Sequence, residues 1–144
     1  MPVIESDWPT EIALEVVSPL TYLKTQASAL SQLTKGVIEA KVATTIDEEN
    51  AFYCSHVLSI YAAALEDAEI ELLRVGHEID LMYPCHLYSK ATSKDGSLSQ
   101  KFDTRIGSFK ELRNIMREVL RSAETVGRIQ SLIARVNDTT SQYS

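Results

Sequence analysis

The sequence predicts an α+β fold: an N-terminal helix, a meander of three to four antiparallel strands within residues 37–88, and two C-terminal helices on the sheet. Three observations predict it. Phe52, Cys54, His56, Leu58 and Ile60 recur at every second position, and so do Leu73, Val75, His77 and Ile79, as in strands with one buried face. Tyr83-Pro84 bars a helix from running through residue 83, because proline fixes φ and holds its predecessor extended. Helix-start signals then stand on both sides of this stretch, at Ser18-Pro19 and at Ser108 with Glu111.

A second pattern overlaps the first. Tyr61, Leu65, Ala68, Leu72, Val75 and Ile79 are spaced four, three, four, three and four apart, one stripe of a helix from about Ala51 to Asp80. That spacing is the basis of the alternative, an all-α bundle. The two readings differ at one place. On a helix Leu72, Val75 and Ile79 share a face, whereas in a regular strand residue 72 points away from 75 and 79.

In chain order, residues 1–10 form a flexible arm with Pro2, Pro9 and an isolated Trp8, and Glu11 to Val17 alternates as a short extended segment would. Leu20, Leu23, Ala27, Leu30 and Leu33 mark the first helix, which Gly36 ends by supplying a left-handed residue. Ile38, Ala40, Val42, Thr44 and Ile46 make a β-branched alternating strand. Asp47-Glu48-Glu49-Asn50 lacks the alternating oxygen ligands and glycine of a calcium loop and reads as a solvated turn.

Cys85 and Leu87, with His86 and Tyr88, suit a short strand, and residues 90–107 read as a long polar loop. Phe109, Leu112, Met116 and Val119 are the buried stripe of the next helix. A last helix starts near Ser122, burying Val126, Ile129, Leu132, Ile133 and Val136, before a frayed tail at 138–144.

The chain of 144 residues is expected to be a single domain, large enough to bury a core without staples. Its two cysteines and acidic start, without a secretory pattern, predict free thiols and a cytoplasmic location. No apolar run reaches membrane-spanning length, so no membrane partner is expected. The formal net charge of −6 argues against general nucleic-acid binding. Residues 1–73 carry 12 acids against 3 bases, and residues 74–144 carry 11 bases against 8 acids, a split that could steer a partner or align copies as a homo-oligomer.

Candidate chemistry is sparse. His77-Glu78 starts a zinc-protease motif, but residue 81 is leucine where the second histidine belongs. Cys54, His56, Cys85 and His86 could supply metal ligands, since Cys-x-His on a strand points both side chains to one face. They lack the usual Cys-x-x-Cys spacing, so the expectation is buried thiols, ordinary histidines, no metal and no cofactor. Cys54 with His56, or Cys85 with His77, could pair as thiolate and imidazolium, but nothing in the spacing fixes such a pair. With neither a nucleophile elbow nor a phosphate loop, no catalytic residue is predicted and the chain is read as a non-enzyme.

Lys110, Arg113, Arg117 and Arg121 form a basic stripe and a candidate partner surface. Tyr53, Tyr61, His77 and Tyr83 form a candidate pocket between sheet and helices. The functional expectation is therefore a protein-interaction module, adaptor or inhibitor-like. Its alternative is a small-ligand-binding domain with that pocket.

Three blocks carry a family resemblance. The first runs from Leu23-Lys24-Thr25-Gln26 through Thr34 to Val42. The second joins Ala64-Leu65 to Glu71 through Ile79 and then Tyr83-Pro84. The third joins Phe109-Lys110-Glu111-Leu112 through Leu120 to Thr125 and Ile129-Gln130-Ser131-Leu132-Ile133. In this order, over residues 18 to 136, they resemble a family of small bacterial proteins of unknown function. The resemblance implies an α+β domain with antiparallel strands at 37–88 and no known catalytic residues. Ala62-Ala63-Ala64 departs from it where relatives tend to have proline.

Overall fold

The computed structural model describes residues 5–12, 16–66, 69–89 and 102–141. Helix α1 (Pro19–Leu33) opens the fold, followed by strands β1 (Glu39–Ile46), β2 (Tyr53–Tyr61), β3 (Glu69–Glu78), β4 (Leu81–Ser89) and β5 (Phe102–Ile106). Helices α2 (Phe109–Leu120) and α3 (Ala123–Ser141) close it. The strands form one antiparallel sheet in the order β1-β2-β3-β4-β5. This is the predicted α+β arrangement with one more strand than expected, and it leaves no room for the all-α alternative.

The added strand, β5, lies in the stretch read as a 90–107 loop. It spans only five residues and polar sequence flanks it, so its alternation is faint. Its place comes from β4, where Cys85 pairs with Ile106, both fully buried. Residues 90–101 lie outside the described residues.

Local signals set the helix ends. The Ser18 hydroxyl accepts from the Thr21 N–H at 3.1 Å, and Pro19 occupies the first helical position. At the other end Lys35 (φ 54°) and Gly36 (φ 80°) turn left-handed, and the Gly36 N–H returns to the Ser31 carbonyl at 2.8 Å. Ser108 caps α2 by accepting from the Glu111 N–H at 3.3 Å. The Glu111 carboxylate accepts from the Gly107 N–H at 2.9 Å, one residue earlier than a standard capping box.

The N-terminal and C-terminal expectations need correcting. Described residues 5–10 are exposed and form no helix or strand, as an arm would, while residues 1–4 lie outside the description. Glu11, Ile12, Val16 and Val17 stand in no strand, and residues 13–15 of that segment are not described. Helix α3 continues to Ser141, so 138–141 is not a frayed tail. The Thr139 hydroxyl donating to the Arg135 carbonyl at 2.9 Å shows how polar residues here still satisfy helical backbone.

The helices cover one face of the sheet. Cys54, His56, Leu58 and Ile60 of β2 and Leu73, Val75 and His77 of β3 are buried, as their alternation requires, with Leu23, Leu112, Met116 and Leu132 among the helical residues of the core. Phe52 and Ile79 leave the pattern because they sit in the turns, 75% and 51% exposed. The Leu72 test has a mixed outcome. Leu58 pairs with Leu73 and Ser59 with Glu71, so Leu72 is an extra residue in a bulge, and both leucines are buried.

A second irregularity lies between Gly76 and Glu78 in the β3–β4 ladder: Gly76 pairs with His86 and Glu78 with Leu81, and Pro84, after a cis Tyr83–Pro84 peptide, falls in the excess length of β4. Proline has no N–H to give a ladder, so a bulge suits it. This break falls at His77.

Candidate metal centre

The register pairs Cys54 of β2 with His77 of β3, 23 residues on. His56 follows Cys54 by two positions and so faces the same side. Three side chains that could each ligate a metal thus meet on the helical face, at the end of the sheet where β1 turns into β2 and β3 into β4. All three are buried, Cys54 at 7%, His56 at 3% and His77 at 7% exposure.

The two imidazoles point Nε2 at Nε2, 2.9 Å apart. Cys54 Sγ lies 3.7 Å from His77 Nε2 and 4.0 Å from His56 Nε2. Each ring is held from behind. His77 Nδ1 is 2.6 Å from the Glu78 carbonyl oxygen, and His56 Nδ1 is 2.8 Å from the Thr44 hydroxyl on β1. A carbonyl only accepts, so His77 carries its proton on Nδ1 and leaves Nε2 bare when neutral. Thr44 can accept or donate, so His56 can place its proton on either nitrogen.

These distances resemble those of a tetrahedral ion site. Zinc–nitrogen bonds of about 2.1 Å and zinc–sulfur bonds of about 2.3 Å would set the nitrogens ~3.4 Å apart and each nitrogen ~3.6 Å from sulfur. The three observed separations differ from these by about half an ångström or less. Ring hydrogen bonds on the far nitrogens are the usual support for histidine ligands.

Burial tunes the protonation of the donors. It lowers the pKa of His56, with His77 and Lys24 adding repulsion, which favours the neutral imidazole a metal needs. It raises the pKa of the Cys54 thiol, so an ion would displace a proton to reach the sulfur.

The same networks also work without a metal. With its proton on Nε2, His56 donates to His77 Nε2 while Thr44 donates to His56 Nδ1, and both rings are satisfied. Rotating the Thr44 hydroxyl and moving the His56 proton to Nδ1 bares both Nε2 atoms for an ion. Loading an ion needs local movement: the two Nε2 atoms must part by about half an ångström, and Cys54 Sγ, now almost equally near His77 Nδ1 (3.8 Å) and Nε2 (3.7 Å), must swing round in front of Nε2.

The residues weighed from sequence divide. Cys54 and His56 join the site. Cys85 belongs to the core, its thiol pushed up to about 11 by burial, and His86 lies opposite Gly76, on the face away from His77. Neither belongs to the group of three, and His77, named for the pocket, is the third donor.

The candidate pocket of Tyr53, Tyr61, His77 and Tyr83 does not form. Tyr53 and Tyr61 stand eight residues apart on β2, roughly 26 Å along an extended strand. Tyr53 points to the open face, across the sheet from His77. Lys41 Nζ lies over the Tyr61 ring at 5.9 Å, and the Tyr83 hydroxyl donates to the Val17 carbonyl at 3.1 Å. A shared tyrosine count says nothing of shared position. On α2 and its C-cap, Lys110, Arg113, Arg117 and Arg121 are all exposed, with Arg113 and Arg117 close enough to Tyr22 to oppose the rise that burial gives its pKa.

Compared with known protein families, with curated proteins and with solved structures, the chain matches none. The comparisons neither support nor oppose the bacterial family resemblance. Among the described residues no helix is long and apolar enough to cross a membrane.

Proposed function

We propose that the protein binds a transition-metal ion of the zinc class through Cys54, His56 and His77. The observation that carries this reading is the convergence of one sulfur and two Nε2 atoms, all buried and each imidazole held by a hydrogen bond at its other nitrogen. One soft thiolate and two imidazoles suit zinc, cobalt or copper and not calcium or magnesium, which take oxygen ligands. Exposed acids gather at the same end of the sheet, Asp47, Glu48 and Glu49 in one turn and Glu78 and Asp80 beside the next, and their field favours an approaching cation.

With three protein donors, a fourth position remains for water or another ligand. Burial of the donors favours holding an ion over turning over a bulky substrate, so the reading is a binding function, in a reducing cytoplasm where Cys54 stays a thiol. The test is titration of chelator-treated protein with Co²⁺. One equivalent should give a thiolate-to-cobalt band and tetrahedral visible bands, absent in C54S and H77A and retained in C85S. Equal bands in C54S and the parent would overturn the reading.

A second reading, the protein-interaction module, is favoured by one observation. Lys110, Arg113, Arg117 and Arg121 are all exposed on one side of the molecule, where an acidic partner could meet them. A stoichiometric complex that forms at low salt and is lost in a four-fold Lys/Arg→Gln variant is the expected outcome.

A further inference from the structure

A second site lies away from the metal centre, on the same face of the sheet. Helices α1 and α3 flank a cleft of about 560 Å³ whose floor is Leu58, Ile60 and Leu72. The bulge described above adds Leu72 to that floor. Leu30 and Ile129 form facing walls, both partly buried against the core. At the rim Leu33 is 81% exposed, and Val126, expected to be buried, is 39% exposed. An apolar cleft of this size falls within the ~300–1,000 Å³ range of small-molecule sites.

The polar groups of the cleft are few. Gln26, Thr34, Thr125 and Gln130 are uncharged, and Arg121 is the only charged side chain among the lining residues. Arg121 takes part in no ion pair among the described residues. Glu118 and Glu124 stand three residues to either side of it: Glu118 is exposed on α2 and does not line the cleft, and Glu124 lines a different depression with Ile70, Gly127 and Leu132. A neutral apolar ligand would leave the guanidinium without a counter-charge, and a cationic one would face it directly.

We infer that the cleft between α1 and α3 binds a small amphiphile with an apolar chain and one anionic head group, the chain on Leu58, Ile60 and Leu72 and the head at Arg121. Burial of the chain supplies most of the affinity, in proportion to the apolar area removed from water. Arg121 supplies selection by charge, since a guanidinium matches a carboxylate with two parallel hydrogen bonds.

The probes are laurate, dodecanol and dodecyltrimethylammonium, which share a tail length and differ in head charge, titrated below their micelle concentrations by calorimetry. Laurate should bind one to one and at least tenfold more tightly than either of the others. R121Q should weaken laurate about tenfold and leave dodecanol unchanged. A29W, which places a ring on the exposed wall of α1, should abolish laurate binding while leaving the circular dichroism spectrum intact. Failure of laurate to bind, or laurate binding unaffected by A29W, overturns the inference. So does a dimer in sedimentation that A29W dissociates, because the cleft would then be an interface between copies of the chain.

Discussion

Thr44 and His56 face each other across the β1–β2 ladder, with the threonine hydroxyl 2.8 Å from His56 Nδ1. This contact joins the edge strand to the candidate metal centre. Because a hydroxyl both donates and accepts, it allows His56 to hold its proton on either nitrogen, and so to bond to His77 or to bare Nε2 for an ion.

Removing that hydroxyl should therefore affect both folding and metal affinity, the second more strongly. Thr44→Val keeps a β-branched residue on the edge strand but leaves the buried His56 Nδ1 without its partner, so the melting temperature should fall by a few degrees, a loss of about 1–3 kcal/mol. His56 Nδ1–H would lose its acceptor, and affinity for Zn²⁺ or Co²⁺ should fall roughly 10- to 100-fold, as for other outer-shell losses. Competition with a chromophoric chelator measures it. An unchanged affinity would mean that Thr44 takes no part in orienting the ring.

Stability should fall at alkaline pH. Burial pushes the Cys85 thiol up to about 11 from 9.0, and burial, with Cys85 nearby, pushes the Tyr83 hydroxyl up to about 12 from 10.0. In both cases the folded state holds the proton more tightly than the unfolded chain. The associated stability is complete below the unfolded pKa and is lost as pH rises through the folded one. For Cys85 the loss runs from pH 9 to about 11 and amounts to at most roughly 3 kcal/mol. Urea unfolding at several pH values should show this decline, and C85A should remove its lower part.

Gly76 should resist substitution. Tyr53 lies across it on the open face, and a Cβ at residue 76 would come within 2.7 Å of the Tyr53 ring carbon bearing the hydroxyl. Gly76→Ala should then cost about 1–3 kcal/mol, the usual size for overpacking, read as a lower urea midpoint. Tyr53→Ala in the same background should recover part of that loss, because it vacates the overlapped space. Additive effects of the two changes would show that the ring is not the obstacle.

Much of the fold is legible in the chain because its signals are local. Ser18-Pro19, Gly36 and Ser108 mark helix ends through hydrogen bonds that span four to six residues. Alternation along β2 and β3 puts Cys54, His56 and His77 on buried faces before any pairing is known. The weak points are equally physical. Phe102–Ile106 is too short to announce itself as a strand without β4 beside it. The helix-like spacing of Leu72 against Val75 reflects a bulge, which shifts the period by one residue.

The candidate site shows where local signals stop. Side-chain direction follows from the twofold repeat of an extended backbone, so the sequence by itself determined that Cys54 and His56 project together and that His77 projects to a buried face. It did not determine that Cys54 stands opposite His77 and not opposite Cys85 or His86. That choice is the strand register, set by the lengths of the turns and by packing against α1, α2 and α3, and both are properties of the assembled sheet. The same holds for the cleft, which exists only because α1 and α3 stand apart over Leu58, Ile60 and Leu72. Periodicity chose the faces, and the tertiary structure decided which residues meet on them.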